Sequence, residues 1–380
     1  MLKVANLGMG DDSSLMVLDL LSSPIGRKNL TVMIAQTGHE WPITKEFMEQ
    51  VVFPQLRRHR IRTLQVARRG PRKRDGVVVL GDTDQPRICY TRPTRQRPYF
   101  TLGQEMLASG TIPQITGARK CSQKAKGVPL DEVRAERVTR GQRFLHLIGF
   151  EINEASRIAK DKNADTELRC GVYPLAEQGL DRAACVRGLA THTGGRTAGK
   201  SACTFCPFSL TNVEGRARTL TRFAQFPAEA RLPLAMEEIA VRFNQAQGLA
   251  GVDRKSGRGI RLLNMMRQRP ELASILHEHE RTISTCTWSL YRVQRAVIGP
   301  AQAARRICAE QTGSRAQMED ALLGLGHAGY DMDEVDGIPR VWIHRRGEAP
   351  PTVEEFVVAA PHTLREKARP GFWPMWHAAR

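Results

Sequence analysis

Residues 2–21 read LKVANLGMGDDSSLMVLDLL, and this stretch decides the expected fold. Residues 2–7 form a short apolar strand. Residues 8–14 form a turn of Gly, Asp and Ser. Residues 14–21 form a helix with a nearly continuous apolar face. The same alternation continues outward. Residues 30–35 (LTVMIA) read as a strand buried on both faces. Residues 42–59 read as an amphipathic helix interrupted by Pro54, and residues 61–67 as a third strand. Residues 77–81 (VVVLG) add another strand, and 82–99 an irregular loop rich in Pro, Arg and Thr. A helix at 130–140, a strand at 144–150 (FLHLIGF) and a helix at 181–191 follow. Strands and helices alternating with short links imply an α/β fold, a parallel twisted sheet with helices on both faces. Beyond about Phe223 the pattern changes. Residues 233–247, 260–267, 270–281, 288–297 and 302–310 read as helices. Two domains are therefore expected, 1–220 and a mostly helical 221–380, with the boundary between Val213 and Pro227.

The length of 380 residues suits two domains, and 41% hydrophobic residues suffice for a core. Charge is the outlying quantity. Fifty-seven Lys and Arg face 39 Asp and Glu, a net charge of +18, and 45 of the 57 are Arg. Codon bias explains Arg over Lys but not cations over anions, so a polyanion such as nucleic acid is an expected partner. Residues 57–74, RRHRIRTLQVARRGPRKR, carry nine basic side chains without interleaved aromatics. That pattern suits phosphate contact or a solvated basic loop rather than base stacking. No window is apolar enough to span a bilayer, and no secretory leader is visible at the start, so no membrane partner and a cytoplasmic location are expected.

Two segments carry chemistry. The turn Gly8-Met9-Gly10-Asp11-Asp12-Ser13-Ser14 sits between strand and helix. Free N–H groups and the helix dipole stabilise a phosphate there, and glycines let the backbone approach it. An ordinary strand-to-helix turn with Asp12 or Ser13 as N-cap fits equally. The second segment is Cys203-Thr204-Phe205-Cys206-Pro207. Two thiolates two residues apart can chelate one metal or one edge of an iron–sulfur cluster. Eight Cys in a chain expected to be cytoplasmic point to metal or redox chemistry rather than a disulfide framework. Cys121, then Cys185, then Cys170 are the candidate partners of the pair. A zinc site, a redox dithiol and two packed thiols stay open. His39-Glu40 reads as an acid–base pair or as a nucleotide-contacting loop.

Taken in order, these segments resemble the phosphoadenosine phosphosulfate reductase-like family of the N-type ATP pyrophosphatases over about residues 1–215. Gly8 to Ser13 resembles its Ser-Gly-Gly-x-Asp-Ser turn. Gln36-Thr37-Gly38-His39-Glu40-Trp41-Pro42 is similar to the segment after its second strand. Lys120-Cys121 with Lys124, Ile148-Gly149 with Glu154 and Arg157, Tyr173-Pro174-Leu175 with Asp181-Arg182 and Cys185, and Cys203 to Phe208 complete the set. Gly8, Met9 and Gln36 depart from the family pattern, Met9 adding bulk at the phosphates. No Cys follows Cys308, so a thioredoxin-linked reductase is not expected.

The resemblance implies an adenine nucleotide alpha hydrolase-like fold, ATP with magnesium, and a cluster, 4Fe-4S, on Cys121, Cys203 and Cys206, which either leaves one iron open to hold sulfide or is closed by Cys185 as fourth ligand. Gly8, Gly10, Asp12, Ser13, Ser14, Thr37 and Gly38 would hold the nucleotide. Lys120, Lys124 and Arg157 would neutralise departing pyrophosphate. The expected activity is ATP-dependent sulfur transfer to an adenylated acceptor, with nucleic acid as the expected acceptor and sulfide or a cysteine desulfurase as sulfur donor. A non-catalytic nucleic-acid-binding protein with a structural cluster or zinc, and a zinc-stabilised subunit of a modification complex, are the alternatives.

Overall fold

The computed structural model describes residues 1–115, 120–253, 255–299 and 302–380. Its internal contacts divide the chain into two units, 1–105 with 116–204, and 106–115 with 205–380.

The first unit is α/β. Its six strands are β1 (Leu2–Asn6), β2 (Leu30–Ala35), β3 (Arg62–Arg68), β4 (Val77–Thr83), β5 (Phe144–Ile148) and β6 (Arg169–Val172), in the spatial order β4-β3-β2-β1-β5-β6. All neighbours are parallel except β3 and β4, which are antiparallel. The connections from β1 step outward through β2 to β3. The chain then returns past β1 to β5 and β6. The direction of winding therefore reverses between β1 and β5, and their carboxyl ends flank a crevice.

Side-chain alternation explains why both faces are covered. Ala5, Val32, Ile34 and Leu147 pack with Leu15, Leu18, Phe53 and Leu189 on one face. Val4, Met33, Leu64, Val66 and Phe144 pack with Leu130 on the other. All six residues of β2 are buried, as a strand sandwiched between helical layers requires. Pro54 does not break its helix. The ladder widens into a π-turn at Met48–Val52 between Pro42–Phe47 and Phe53–Arg58. The same device, Gln123–Gly127, precedes Pro129 in the helix Val128–Thr139. A proline lacks the N–H and crowds the carbonyl four residues back, and the wider turn relieves both.

The second unit departs from the expected helical composition. Residues 288–297 and 302–310 are not helices. They lie in the long strands β7 (Trp288–Gly299) and β8 (Gln302–Gly313) of an antiparallel sheet ordered β12-β8-β7-β11-β10-β9. The remaining strands are β9 (Asp331–Val335), β10 (Ile338–His344), β11 (Thr352–Pro361) and β12 (Lys367–Ala368). One face packs Tyr291, Val293, Phe356 and Val358 against Ile239 and Phe243 of the helix Arg231–Phe243. The other face packs Leu290 and Val357 against Met318 and Leu322, and Ala296 against Phe372 and Trp376. Among the described residues, no helix is long and apolar enough to cross a membrane.

His146 on β5 is 2% exposed and lies between two guanidiniums. Its Nδ1 is 2.7 Å from Arg169 and its Nε2 3.2 Å from Arg134. Burial and those two charges push His146 down to about 2, so it stays neutral where an unfolded His, near 6.5, takes a proton. Unfolding thus binds a proton below about pH 6.5, and the stability this neutral His contributes is present above that pH and lost as pH falls. The urea midpoint is expected to fall between about pH 6.5 and pH 5. His146→Gln should flatten that slope by about one proton, about 1.4 kcal/mol per pH unit. An unchanged slope would remove His146 as a source.

Candidate functional site

The turn after β1 lies at the reversal between β1 and β5. Gly10 begins the helix Asp11–Ser22 with no side-chain cap. Ser13 shapes the turn instead, accepting from Gly8 N–H at 3.0 Å and donating to the Gly10 carbonyl at 3.2 Å. From the opposite lip, Gly149 follows β5 so closely that a Cβ there would stand 2.9 Å from the Ser13 Cα. Met9 takes a left-handed φ of 62°, a cost usually avoided outside Gly. Its side chain does not crowd the mouth of the turn, contrary to expectation. It is fully buried, with its sulfur 3.6 Å from Cys89 and 3.8 Å from Gln36.

Two carboxylates lead the helix. Asp11 is 3% exposed and fastens the segment that carries the later cysteine pair. Its Oδ1 accepts from Gly199 N–H at 2.8 Å, while Asp11 N–H donates to the Gly199 carbonyl at 3.2 Å. Arg182 bridges Asp11, at 3.2 Å, and Asp12. Burial raises the Asp12 carboxyl above its usual range in spite of Arg182. Asp12 Oδ1 and Ser14 Oγ are buried without a hydrogen-bond partner. Such groups cost free energy that a polar ligand would recover.

From this turn a continuous polar chain runs to Cys203. A Cβ on Gly10 would meet the Ser201 nitrogen at 2.9 Å. Lys126 Nζ lies 3.4 Å from Ser201 Oγ and 3.3 Å from Glu40 Oε1. Thr37 Oγ1 lies 3.4 Å from that same Glu40 oxygen and 3.4 Å from Cys203 Sγ. A bridge between Glu40 and Cys203, with Thr204 N–H on the His39 carbonyl at 2.9 Å, holds the two segments together. Gly38 makes this loop possible with a φ of 91°, because a Cβ would stand 2.4 Å from Thr101. Gly8, Gly10, Asp12, Ser13, Ser14, Thr37, Gly38 and Cys203 are thus parts of one neighbourhood.

The expected charge-neutralising residues are placed differently. Lys124 is bound to Glu105 at 2.7 Å, and Glu105 also holds the buried Arg68 at 2.7 Å. Lys120 is exposed. Arg157 pairs with Glu154 and stacks over Phe150 at 4.2 Å. Lys126 and Arg182 are the cations that touch the site, and sequence spacing did not single them out. Arg182 had a signal, since an acidic pair at a helix start demands a cation. Lys126 had none, since its direction depends on the π-turn Gln123–Gly127. Burial and Arg92 push His39 down to about 3, so it is a neutral imidazole near neutral pH rather than an acid.

Of the four cysteines expected to hold a cluster, Cys121, Cys185 and Cys203 belong to the first unit and Cys206 to the second. Cys185 is 0% exposed and packs in the core with Leu15 and Leu189. Burial pushes its thiol up to about 12. Among the described residues, no three His, Cys, Asp or Glu side chains converge as a metal-ligand set. Cys121 is half-buried near Lys120, and Cys206 falls in the second unit. Cys170 is exposed. The buried, apolar surroundings of Cys185 do not fit a cluster ligand. Residues 57–74 are likewise no continuous basic strip. Arg62 pairs with Asp82 at 2.6 Å and Arg68 is buried, so the exposed basic residues fall into two groups, Arg58 with Arg60, and Arg69 with Arg72, Lys73 and Arg74.

Gly149→Ala would force backbone apart at the reversal, so a loss of about 1–3 kcal/mol in urea unfolding is expected. Cys185→Ser should cost about 1–3 kcal/mol, through a hydroxyl without partners in an apolar core. Iron content measured on anaerobically purified protein should be unaffected by it; loss of iron in that variant alone would restore Cys185 as a ligand. Compared with protein-family models, with curated proteins and with solved structures, the chain matches none.

Proposed function

We propose that the first unit binds ATP at the β1–β5 reversal and transfers its adenylyl group to an acceptor oxygen, which a sulfur nucleophile then displaces as AMP. The observation that carries this reading is the pair of buried, unpartnered oxygens, Ser14 Oγ and Asp12 Oδ1, beneath a glycine turn at a winding reversal. Crevices at such reversals are where open α/β sheets take nucleotides. The triphosphate would lie against the start of the helix Asp11–Ser22, with Ser13 and Ser14 as hydroxyl partners. Magnesium, bound by Asp12 together with the phosphates, would supply charge neutralisation.

Attack by the acceptor oxygen on the α-phosphorus forms one P–O bond and breaks another, and pyrophosphate leaves. Lys126 is the cation best placed to meet that departing charge, and Glu40 fixes its direction. Cys203 is the thiol of this neighbourhood, beside Thr37. The sulfur comes from sulfide or from a desulfurase partner. A nucleic-acid acceptor agrees with the net charge of +18. No step here depends on an iron–sulfur cluster.

The test is pyrophosphate release and AMP formation from labelled ATP, with DNA and tRNA supplied as acceptors alongside sulfide. Lys126→Ala should lower turnover about 10²–10³-fold. It should change ATP affinity far less. Binding of ATP with no AMP from any acceptor would favour the non-catalytic nucleic-acid-binding alternative. No binding of ATP at all would overturn the proposal.

A further inference from the structure

In the second unit, β8, β7 and β11 set Arg305, Arg295 and Glu354 directly opposite one another on three adjacent strands. Two like charges in cross-strand register are unfavourable, and one carboxylate cannot neutralise both. Glu354 is committed to Arg295 at 2.5 Å. Arg295 also donates to the carbonyl of Phe243, where the helix Arg231–Phe243 ends. Arg305 donates to the Ser109 carbonyl at 2.9 Å, and among the described residues no carboxylate pairs with it. Burial and the Arg295 charge push Arg305 down to about 10. Arg346 adds a further repulsive charge against Arg295.

These groups surround a cavity of about 360 Å³ that opens past the helix end at Asn244. Arg295, Arg305 and Arg346 line it, with Asn244 as a further polar group, and among the described residues no acidic side chain is in the lining. A liquid water occupies about 30 Å³, so the space takes an anion larger than a single water. Guanidinium forks match phosphate oxygens two at a time. A bound phosphate would relieve the repulsion that Glu354 leaves uncompensated.

We propose that this cavity, formed by Arg295, Arg305 and Arg346, is a binding site for a phosphate group. The group arrives either as free inorganic phosphate or within a nucleic-acid backbone, and the recognising chemistry is the same. The site is independent of the nucleotide reading of the first unit.

The test uses the full chain and two probes, inorganic phosphate by calorimetry and a labelled single-stranded oligonucleotide by anisotropy at several salt concentrations. Arg346 is exposed, so Arg346→Ala should keep the fold. It and Arg305→Gln are each expected to weaken at least one probe about tenfold or more. In the oligonucleotide arm they should also reduce the slope of log affinity against log salt by about one. Glu354→Gln, which frees Arg295, should tighten the same probe, an effect that mere loss of structure would not give. A response to phosphate alone assigns the free ion, and a response to the oligonucleotide assigns the backbone. If wild type binds neither probe, or Arg346→Ala and Arg305→Gln bind both as wild type does, the proposal is overturned. ATP binding measured on the same variants separates this result from failure of the first-unit reading.

Discussion

Everything in the first unit depends on the closeness of two backbones, Gly149 after β5 and Ser13 after β1. β1 is paired on both edges by parallel strands, and the chain leaves those two edges in opposite directions. Nothing connects the two lips of the reversal covalently at short range. Their separation is set by sheet spacing and by what stands between them. With a Cβ on Gly149 at 2.9 Å from Ser13 Cα, hydrogen is the only substituent that fits. The helix Asp11–Ser22 can then start immediately at the turn, and Ser14 and the Oδ1 of Asp12 are buried there rather than solvated. Asp11 extends the constraint, because its two-way bond with Gly199 brings Ser201 and Cys203 to the same place.

That geometry explains which parts of the site were legible in the sequence. Local patterns carried the turn itself. Gly, Asp and Ser between an apolar strand and an apolar helix allow few conformations, and LTVMIA has no polar face to expose. The proximity of Thr37 and Cys203 comes from tertiary pairing of two distant segments, which no local pattern carries. Lys126 was not legible, because a π-turn alters the angular position of every side chain beyond it, and spacing arguments assume a regular helix. The surroundings of Cys185 were not legible for a related reason. This cysteine shares a short segment with Arg182, which does reach the site, but sits three residues further along the helix Arg182–Thr193. There the thiol falls among Leu15 and Leu189 on the core side.

The second unit shows the opposite failure. β7 reads WSLYRVQRAVIG and β8 reads QAARRICAEQTG. Ala, Arg and Gln are good helix formers, and the basic residues at 292, 295, 305 and 306 blur the two-residue period that marks a strand. In the sheet these long side chains are not simply surface. Arg292 reaches Glu355 on the neighbouring strand at 3.1 Å, and Arg306 reaches Gln294 at 2.7 Å. Tertiary pairing overrides the local preference, and single-sequence reasoning has no access to that pairing.

The same observation changes the meaning of the basic composition. A large excess of Arg invites the inference of a nucleic-acid partner, yet much of it is structural. Arg340 is 4% exposed and lies over Phe356 at 4.1 Å. Arg242, equally buried, lies over Trp288 at 4.5 Å while Glu238 holds it at 2.6 Å. A guanidinium can do this because it is planar, weakly hydrated and always charged, whereas an ammonium loses more on burial. Preference for Arg over Lys therefore follows partly from its use as packing material between sheet and helix. What packing does not account for is an uncompensated charge such as that of Arg305, set opposite Arg295 without a carboxylate of its own. Net charge is a sum over paired and unpaired groups, and only the unpaired ones carry information about a partner.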